Sequence, residues 1–361
     1  MKIAILTFHD AYNYGAILQA YATHKLLEKM GHDVEIINYL RDKKNYHRAH
    51  FKWNMNIFKY PRISIIALLR TKRQLAKEKK FEDFKKQRLN VSPIIYRKGD
   101  NVNVRKYDIV LIGSDQVWNP KLTRGVDGVF WGDLEKGENC KIIAWAPSSL
   151  YLEYTDDELI KIKQYLDNFS SLSVRDEKLK CIIEKLTNKK ISITIDPTFL
   201  LDKIEWSKLC HEVPEKDYVL MYAVRHFEQT YKIAKQVARQ YKKKLVVIRW
   251  LVNPLYNHQD KNTCSPEDFL SYIYHADFVV ASSFHGTAFS IIFEKKFINF
   301  VPNSSKDSRV QTILKAIDLD DRVVSESSSY DIINKIPNYQ EAKKKLEKQK
   351  KASINYLLSS L

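Results

Sequence analysis

Short apolar runs alternate with amphipathic segments along almost the whole chain. The apolar run Lys2–Phe8 precedes a segment with helical spacing at Ala16–Met30, and a second apolar run follows at Val34–Tyr39. A strand, a helix with one apolar face and another strand, in this order, predict a βαβ unit. The alternation recurs as far as the lysine-rich helical segment Gln340–Leu358, so the sequence predicts an α/β protein.

The predicted strands fall into two groups, and a chain of 361 residues is longer than one hydrophobic core usually requires. We therefore predict two doubly wound α/β domains that face each other across a cleft. The first domain is expected at residues 1–201 and the second at residues 202–325. A C-terminal tail that contains the lysine-rich helix is expected at residues 326–361.

The stretch Ala276–Phe293 shows the clearest change of pattern. An apolar run ends in two serines, the turn Phe284–Thr287 follows, and helical spacing then begins. In a parallel sheet such a turn lies at the carboxyl end of a strand, and the N terminus of the next helix favours an anion. His285 is the candidate acid–base group of this turn; alternatively it caps the helix or satisfies a loop carbonyl. The candidate residues of the anion site are Ser283, His285, Gly286 and Thr287.

A dense group of hydrogen-bonding side chains follows the apolar run Tyr107–Ile112. Aromatic faces stack on sugar rings, and Asp, Gln and Asn side chains bind hydroxyl groups, so this group fits a carbohydrate. Its candidate residues are Ser114, Asp115, Gln116, Trp118 and Asn119. The alternative interpretation is an Asx-type turn that caps a helix, with Trp118 in the hydrophobic core.

Two arginines are further candidates for anion binding. Arg175 follows the short apolar run Ser171–Val174, and a planar guanidinium at the end of a strand suits a carboxylate or a phosphate. Alternatively, Arg175 pairs with Asp176 or Glu177. Arg309 belongs to a polar loop that precedes a predicted helix in the second domain.

The net charge of +17 is concentrated in two segments. Residues 41–90 carry sixteen basic residues against four acidic ones and form a basic insertion in the first domain, and Glu341–Lys351 is also rich in lysine. The insertion mixes basic and apolar residues as a membrane-surface helix does; alternatively, it presents a solvated helical face. The chain has no recognised nucleic-acid motif, so no nucleic-acid partner is expected.

The apolar runs also limit the expected location. None of them is long enough to span a bilayer, and Met1–Phe8 is too short for a signal sequence. We therefore expect a cytoplasmic protein, with peripheral contact at the inner membrane face as a hypothesis. The four cysteines are scattered without metal-ligand spacing, so neither a disulfide framework nor a metal site is predicted.

Five short motifs resemble one enzyme family when their order and spacing are taken together. They are NYGAILQAYA at Asn13–Ala22, GSDQVWNP at Gly113–Pro120, SVRD at Ser173–Asp176, DPTFLL at Asp196–Leu201 and SFHGTAFSIIF at Ser283–Phe293. In this combination the chain resembles the polysaccharide pyruvyl transferase family. The resemblance extends over nearly the whole chain.

The resemblance implies a GT-B-like fold of two Rossmann-like domains, with phosphoenolpyruvate as co-substrate, no cofactor, and a saccharide or lipid-linked saccharide as acceptor. The implied product is a cyclic pyruvate ketal on a sugar of a bacterial surface polysaccharide, such as a capsule or exopolysaccharide, or on its precursor. The implied catalytic residues are His285 and Asp115. The implied donor-binding residues are Arg175 for the carboxylate, Arg309 for the phosphate, and Arg225, Ser283, Gly286 and Thr287. The implied acceptor-binding residues are Asn13, Tyr14, Gly15, Ser114, Gln116, Trp118 and Asn119.

One position departs from the pattern of some relatives, which carry an arginine where this chain has Ser283. Arg225 or Arg309 is then expected to supply the cation. Two other functions remain open: a GT-B glycosyltransferase that uses a nucleotide sugar, and a non-catalytic protein that docks on membranes. Dinucleotide-binding and P-loop enzymes are disfavoured because the chain has neither GxGxxG nor GxxxxGK[ST].

Overall fold

The computed structural model describes residues 1–40, 61–249, 260–303, 309–328 and 331–361, with the backbone alone for residues 61–70 and 260. Residues 41–60 of the predicted basic insertion therefore lie outside the described residues. Within the described ranges, no helix combines the length and the apolar character needed to cross a bilayer.

The first domain is built on a seven-stranded parallel sheet. Its strands are β1 (Lys2–Leu6), β2 (Asp33–Leu40), β3 (Val91–Arg97), β4 (Ile109–Ile112), β5 (Lys141–Ala144), β6 (Ser171–Val174) and β7 (Ile191–Ile193). They lie in the order β3-β2-β1-β4-β5-β6-β7. The order reverses between β1 and β4, so the carboxyl ends of these two strands form the crevice where doubly wound sheets bind ligands.

The second domain repeats this topology with six parallel strands. They are β8 (Tyr218–Ala223), β9 (Lys244–Arg249), β10 (Asp260–Lys261), β11 (Phe278–Ala281), β12 (Lys296–Phe300) and β13 (Val323–Val324). Their order is β10-β9-β8-β11-β12-β13, which reverses between β8 and β11. The predicted α/β fold of two Rossmann-like, doubly wound domains is thus confirmed. The first sheet ends at Ile193 and the second begins at Tyr218, on either side of the domain boundary expected after residue 201.

Eleven α-helices are found among the described residues. They are α1 (Tyr14–Lys29), α2 (Pro61–Arg88), α3 (Pro120–Thr123), α4 (Asp156–Leu166), α5 (Glu177–Ile183), α6 (Lys203–Ser207), α7 (Phe227–Gln240), α8 (Pro266–His275), α9 (Phe284–Ile292), α10 (Arg309–Ala316) and α11 (Tyr339–Ser360). Two of them matter most for the site. Helix α1 follows β1 and α9 follows β11, so the N termini of both helices lie at a crevice.

An apolar interface joins the two domains next to the crevices. The ring of Tyr14 in α1 stacks on that of Phe269 in α8, with 4.6 Å between the centroids. The Tyr14 hydroxyl donates a hydrogen bond to the carbonyl oxygen of Cys264 at 3.1 Å. Trp206 of α6 lies between the two helices: its ring is 5.6 Å from that of Tyr21 in α1 and packs edge-on against Phe289 of α9 at 4.9 Å. Burial of these large aromatic surfaces fixes the position of α1 relative to α9.

The C-terminal helix α11 contacts both domains. Near its start, the Tyr339 hydroxyl donates to the carbonyl oxygen of Lys295 in the second domain. Near its end, the Tyr356 hydroxyl donates to the Ala144 carbonyl oxygen at 2.9 Å, and the Ser353 hydroxyl accepts from the Ile195 amide at 3.0 Å. The segment expected as a tail therefore crosses back from the second domain to the first.

Candidate active site

A cavity of about 250 Å³ lies between the domains at the carboxyl ends of β1, β4, β8 and β11. Both domains contribute predicted site residues to its wall. They are Asn13, Asp115 and Gln116 from the first domain, and Arg225, Ser283, His285 and Arg309 from the second. The structure thus brings together seven of the residues named from the sequence.

The turn before α9 has the form that the sequence predicted. Ser283 is the N-cap, and its hydroxyl accepts a hydrogen bond from the Gly286 amide at 3.1 Å. A Cβ atom at Gly286 would lie 2.9 Å from both the Ser283 hydroxyl and the Tyr222 ring, so only glycine fits. Thr287 is fully buried and donates to the Ser283 carbonyl oxygen at 3.1 Å. Gly286 and Thr287 therefore shape the turn, and they do not belong to the wall of the cavity.

The imidazole of His285 is held between the two domains. Its side chain is 12% exposed, and its Nε2 atom lies 3.5 Å from a carboxylate oxygen of Asp196. On another side it meets Gly15 of α1, where an added Cβ atom would lie only 1.9 Å from Nδ1. Gly15, expected at the acceptor, is instead the residue that lets the first turn of α1 approach the imidazole.

Asp196 is a site residue that the sequence analysis missed. It follows β7 and is fully buried. One carboxylate oxygen accepts from the Thr198 amide at 3.0 Å and from its hydroxyl at 2.7 Å, while the other contacts Arg175 and His285. Burial raises the pKa of this carboxyl, but the charges on His285 and Arg175 and the hydrogen bonds it accepts bring it below the ordinary value. Its place shortly after the apolar run that forms β7, within the motif DPTFLL, was the signal in the sequence.

Arg175 is not one of the residues that line the cavity. Its side chain is 5% exposed, and it forms an ion pair with Asp196 and donates to the Ser148 hydroxyl at 2.8 Å. The guanidinium also lies 4.7 Å above the ring of Phe284. Because both terminal nitrogens of the guanidinium are bound to internal partners and the side chain is buried, the predicted contact with the donor carboxylate is corrected to a structural role next to the site. The alternative prediction, an ion pair of Arg175 with Asp176 or Glu177, also differs from the structure, in which the ion pair is formed with Asp196.

Two arginines of the second domain line the cavity. Arg225 follows β8, and its carbonyl oxygen accepts a hydrogen bond from the Ser282 hydroxyl at 2.7 Å, which ties the turns after β8 and β11 together. Arg309 is the first residue of α10, with its guanidinium 6.0 Å from the centroid of the Phe284 ring. Both residues suggested as substitutes for the arginine absent at Ser283 are thus on the cavity wall.

The first domain supplies neutral and acidic groups. Asp115 lies directly beyond β4 and has a φ of 65°, a left-handed conformation that is rare outside glycine and is enriched at functional sites. Gln116 is held by its Oε1 atom, which accepts from Asn119 at 2.8 Å and from the Leu150 amide at 3.3 Å. Asn13 caps α1, accepting from the Gly15 amide at 2.9 Å. Because their oxygens are engaged in the fold, the amide nitrogens of Asn13 and Gln116 are the atoms left to contact a ligand.

Other predicted acceptor residues belong to the interior of the protein. Trp118 is 1% exposed and stacks on Trp131 with 4.1 Å between centroids, so it cannot offer a face to a sugar. Tyr14 is fully buried in the interface between the domains. Ser114 is also fully buried, and its hydroxyl donates to the Ala146 carbonyl oxygen at 2.9 Å. Asn119 caps α3 through the Lys121 amide at 3.0 Å. For Trp118 the alternative interpretation from the sequence, a core residue, is the one that describes the structure.

Several solved structures match the chain over almost its whole length. The UDP-GlcNAc 2-epimerase of Methanocaldococcus jannaschii, in complex with UDP-GlcNAc and UDP, is 13% identical with a TM-score of 0.47, covering 97% of this chain and 92% of that chain. The UDP-GlcNAc 2-epimerase of Neisseria meningitidis is 10% identical with a TM-score of 0.47, covering 99% of this chain and 100% of that chain. The glycosyltransferase SnogD from Streptomyces nogalater is 9% identical with a TM-score of 0.42, covering 99% and 95%.

Sequence comparison is more specific. No curated protein sequence matches the chain significantly. The family model described as polysaccharide pyruvyl transferase matches residues 13–305. The matched region begins at the N-cap of α1 and extends beyond β12, so it contains most of the residues that line the cavity; Phe8, Ala11 and Arg309 lie outside it. The chain therefore belongs to the polysaccharide pyruvyl transferase family.

Proposed function

We propose that this protein transfers the enolpyruvyl group of phosphoenolpyruvate to a sugar of a bacterial surface polysaccharide, or of its lipid-linked precursor, as a pyruvate ketal. The observation that carries this proposal is the composition of the cavity between the domains. Arg225, Arg309 and His285 of the second domain share it with Asp115 and Gln116 of the first. Cationic groups on one domain suit the donor, and an acid and an amide on the other suit sugar hydroxyls.

The reaction defines what the cavity must do. A proton is added to the methylene carbon of phosphoenolpyruvate, and the oxygen of one sugar hydroxyl bonds to the neighbouring carbon. Phosphate then leaves with the electrons of its bond to that carbon, and a second hydroxyl oxygen takes its place. The two sugar hydroxyls lose two protons in all. This number equals the one proton added to the methylene carbon, which becomes a methyl group, plus the one taken up by the released phosphate. The site therefore has to bind a multiply charged anion, deliver a proton and accept one.

The second domain offers the groups that a charged donor needs. Arg225 and Arg309 provide two guanidinium groups, which bind carboxylate and phosphate oxygens through paired N–H donors. The N terminus of α9 adds backbone N–H groups and the positive end of the helix dipole. In this arrangement His285 is the group that delivers a proton to the methylene carbon. The scheme requires no metal ion.

The first domain offers groups for the acceptor. The carboxylate of Asp115 accepts the proton of the attacking hydroxyl, which makes the oxygen a better nucleophile. The amide nitrogens of Asn13 and Gln116 donate hydrogen bonds to neighbouring hydroxyl oxygens. The acceptor and the donor therefore enter from opposite domains.

The direct test is to incubate the protein with phosphoenolpyruvate and a panel of bacterial glycolipid intermediates. We expect release of phosphate together with acid-labile pyruvate on one of the glycolipids. Thermal shift supplies a second measurement, in which phosphoenolpyruvate is expected to raise the melting temperature. Stabilisation by a nucleotide sugar but not by phosphoenolpyruvate would contradict the proposal and favour a glycosyltransferase.

Replacing Arg225 or Arg309 with glutamine is expected to weaken donor binding. Loss of a hydrogen bond to a charged group costs about 1.5–3 kcal/mol, so the KM for phosphoenolpyruvate should rise about tenfold to a hundredfold. The KM for the acceptor should change little. Arg239→Gln on the exposed side of α7 removes the same charge from the second domain and serves as the control. An unchanged donor KM in both cavity variants would exclude these arginines from donor binding.

We further propose that the first domain contacts anionic membranes through the basic side of α2. A second cavity, of about 700 Å³, is lined by Lys72, Arg73 and Lys80 of α2 and by Lys261. Lys80 is paired with Asp268 at 2.7 Å, whereas Lys72 and Arg73 form no ion pair with another described residue. Two uncompensated cations favour the phosphate groups of lipids, which is consistent with a lipid-linked acceptor.

Flotation with vesicles that contain phosphatidylserine tests this contact. We expect binding at low ionic strength that fades as salt is added, because exposed charges are screened. The double variant Lys72→Glu, Arg73→Glu should bind less, while Lys79→Glu on the same helix should bind nearly as well as the unaltered protein. Absence of the protein from the floating fraction even at low salt would refute the contact.

A further inference from the structure

The buried carboxylate of Asp196 connects the two domains at the active site. Asp196 follows β7 of the first domain, and His285 lies in the first turn of α9 of the second. The Asp196 carboxylate approaches Nε2 of His285 at 3.5 Å and forms an ion pair with Arg175. Asp196 itself is not part of the cavity wall. Its effect on a ligand must therefore pass through the imidazole.

The surroundings of Asp196 require it to be a carboxylate anion. Arg175 is 5% exposed and supplies the compensating positive charge. Thr198 donates two hydrogen bonds to the opposite carboxylate oxygen, so the orientation of the group is fixed. The oxygen that faces His285 can only accept a hydrogen. The ring nitrogen that faces it must consequently carry one.

We propose that Asp196 is a positioning residue that keeps the proton of neutral His285 on Nε2, so that Nδ1 is the nitrogen that exchanges protons with the substrate. Nε2 is buried and makes no hydrogen bond of normal geometry with a described residue, and the Asp196 carboxylate oxygen lies 3.5 Å from it. In a neutral imidazole one nitrogen donates and the other accepts, so a proton on Nε2 leaves the lone pair on Nδ1. Nδ1 lies beside Gly15, at the first turn of α1. The assignment of a proton-transfer role rests on the proposed function, whereas the position of the proton does not.

The same contact explains how the site depends on the arrangement of the domains. When His285 is protonated at Nδ1, the positive ring lies next to the Asp196 carboxylate, which stabilises it. This stabilisation exists only while α9 of the second domain is packed against the first domain. A catalytic histidine whose partner belongs to the other domain therefore becomes competent only when the two domains are in contact.

Long-range ¹H–¹⁵N spectra of protein labelled in its histidines test the proposal directly. The His285 signals are assigned by their loss in His285→Gln. In alkaline solution, where the ring is neutral, we expect the pattern of a ring with its proton on Nε2. A proton on Nδ1 and a bare Nε2 would overturn the proposal, and this measurement needs neither a substrate nor a variant of Asp196.

Asp196→Asn supplies the second measurement. Its amide group presents either a donor or a neutral oxygen to His285, so the preference for a proton on Nε2 should be lost in the spectra. We expect kcat for phosphate release to fall about a hundredfold or more, with the KM for phosphoenolpyruvate changed less than threefold, because donor-binding groups are untouched. Asp202→Asn at the N-cap of α6 makes the same change away from the cavity and should leave both values unaltered.

The outcomes separate this proposal from the proposed function. If the spectra show the proton on Nε2 but no phosphate is released from phosphoenolpyruvate, the positioning role of Asp196 stands and the proposed transferase activity is refuted. An unchanged spectrum and unchanged kcat in folded Asp196→Asn would remove the positioning role and leave the transferase. If that variant does not fold, the spectrum of the unaltered protein decides the question.

Discussion

Replacing His285 with alanine is expected to reduce the release of phosphate from phosphoenolpyruvate at least about a hundredfold, the usual scale for loss of an acid–base group. The residue lines the cavity with a side chain that is only 12% exposed, and its Nε2 atom lies 3.5 Å from Asp196. Removing the ring removes the proton donor without touching the arginines. The measurement is steady-state phosphate release in the presence of an accepted glycolipid.

The control for this variant is His275→Ala, which removes an imidazole at the end of α8, outside the cavity wall. It should retain nearly full turnover. The melting temperature of His285→Ala should stay within a few degrees of the unaltered protein, because Arg175 still compensates the charge of Asp196 and the ring makes no hydrogen bond of normal geometry with a described residue. Full turnover by a folded His285→Ala would remove this residue from the mechanism.

Adding a single methyl group at Gly15 is expected to reduce activity about as much as replacing His285. In Gly15→Ala the new Cβ atom would lie 1.9 Å from Nδ1 of His285, which is far inside contact distance, so the imidazole must move. A displacement of about 1 Å in an active site can reduce turnover about a hundredfold. The loss should appear in kcat, measured by phosphate release at saturating donor.

Stability should respond differently from activity in this variant. In a helix interior alanine is favoured over glycine by about 1 kcal/mol. Gly15 lies in the first turn of α1, so a smaller gain offsets part of the cost of the displaced ring. Gly137→Ala is the matched control, because its Cβ atom would meet only an ordinary contact of 3.6 Å with a backbone oxygen. We expect that variant to be fully active. Normal kcat in Gly15→Ala would mean that the position of the imidazole near α1 is not required.

The order of elements followed from the sequence because each buried strand is a short apolar run. The runs at Lys2–Leu6, Ile109–Ile112 and Phe278–Ala281 are all strands whose residues are almost wholly buried on both faces. Strand β3 was missed. Its sequence contains Pro93, and Ile94 and Ile95 are consecutive and about half exposed, so it shows neither alternation nor a buried run. Proline is tolerated there because β3 is an edge strand.

Prediction of the site succeeded for backbone features and was weaker for side-chain partners. The turn at Ser283–Thr287 follows a strand and opens a helix, as its local pattern indicated. By contrast, Arg175 was assigned to the donor because a guanidinium after a strand suits an anion, and its actual partner is an internal anion, Asp196. Trp118 was assigned to a sugar by its chemistry, yet it stacks on Trp131 in the core. The residue types that bind a ligand are the same ones that bind a partner inside the protein. The residue type alone therefore does not distinguish a binding role from a structural one.

The sequence by itself determined the two-domain α/β architecture and the strand, turn and helix around His285, because hydrophobic periodicity and turn residues act over a few neighbouring positions. Only the tertiary structure decided which polar residues reach the cavity. Arg225 and Arg309 line it, whereas Arg175 and Tyr14 are used inside the protein. The contact of His285 with Asp196 joins residues of two domains. Such contacts depend on how the sheets and helices pack, so they cannot be predicted from local patterns in the sequence.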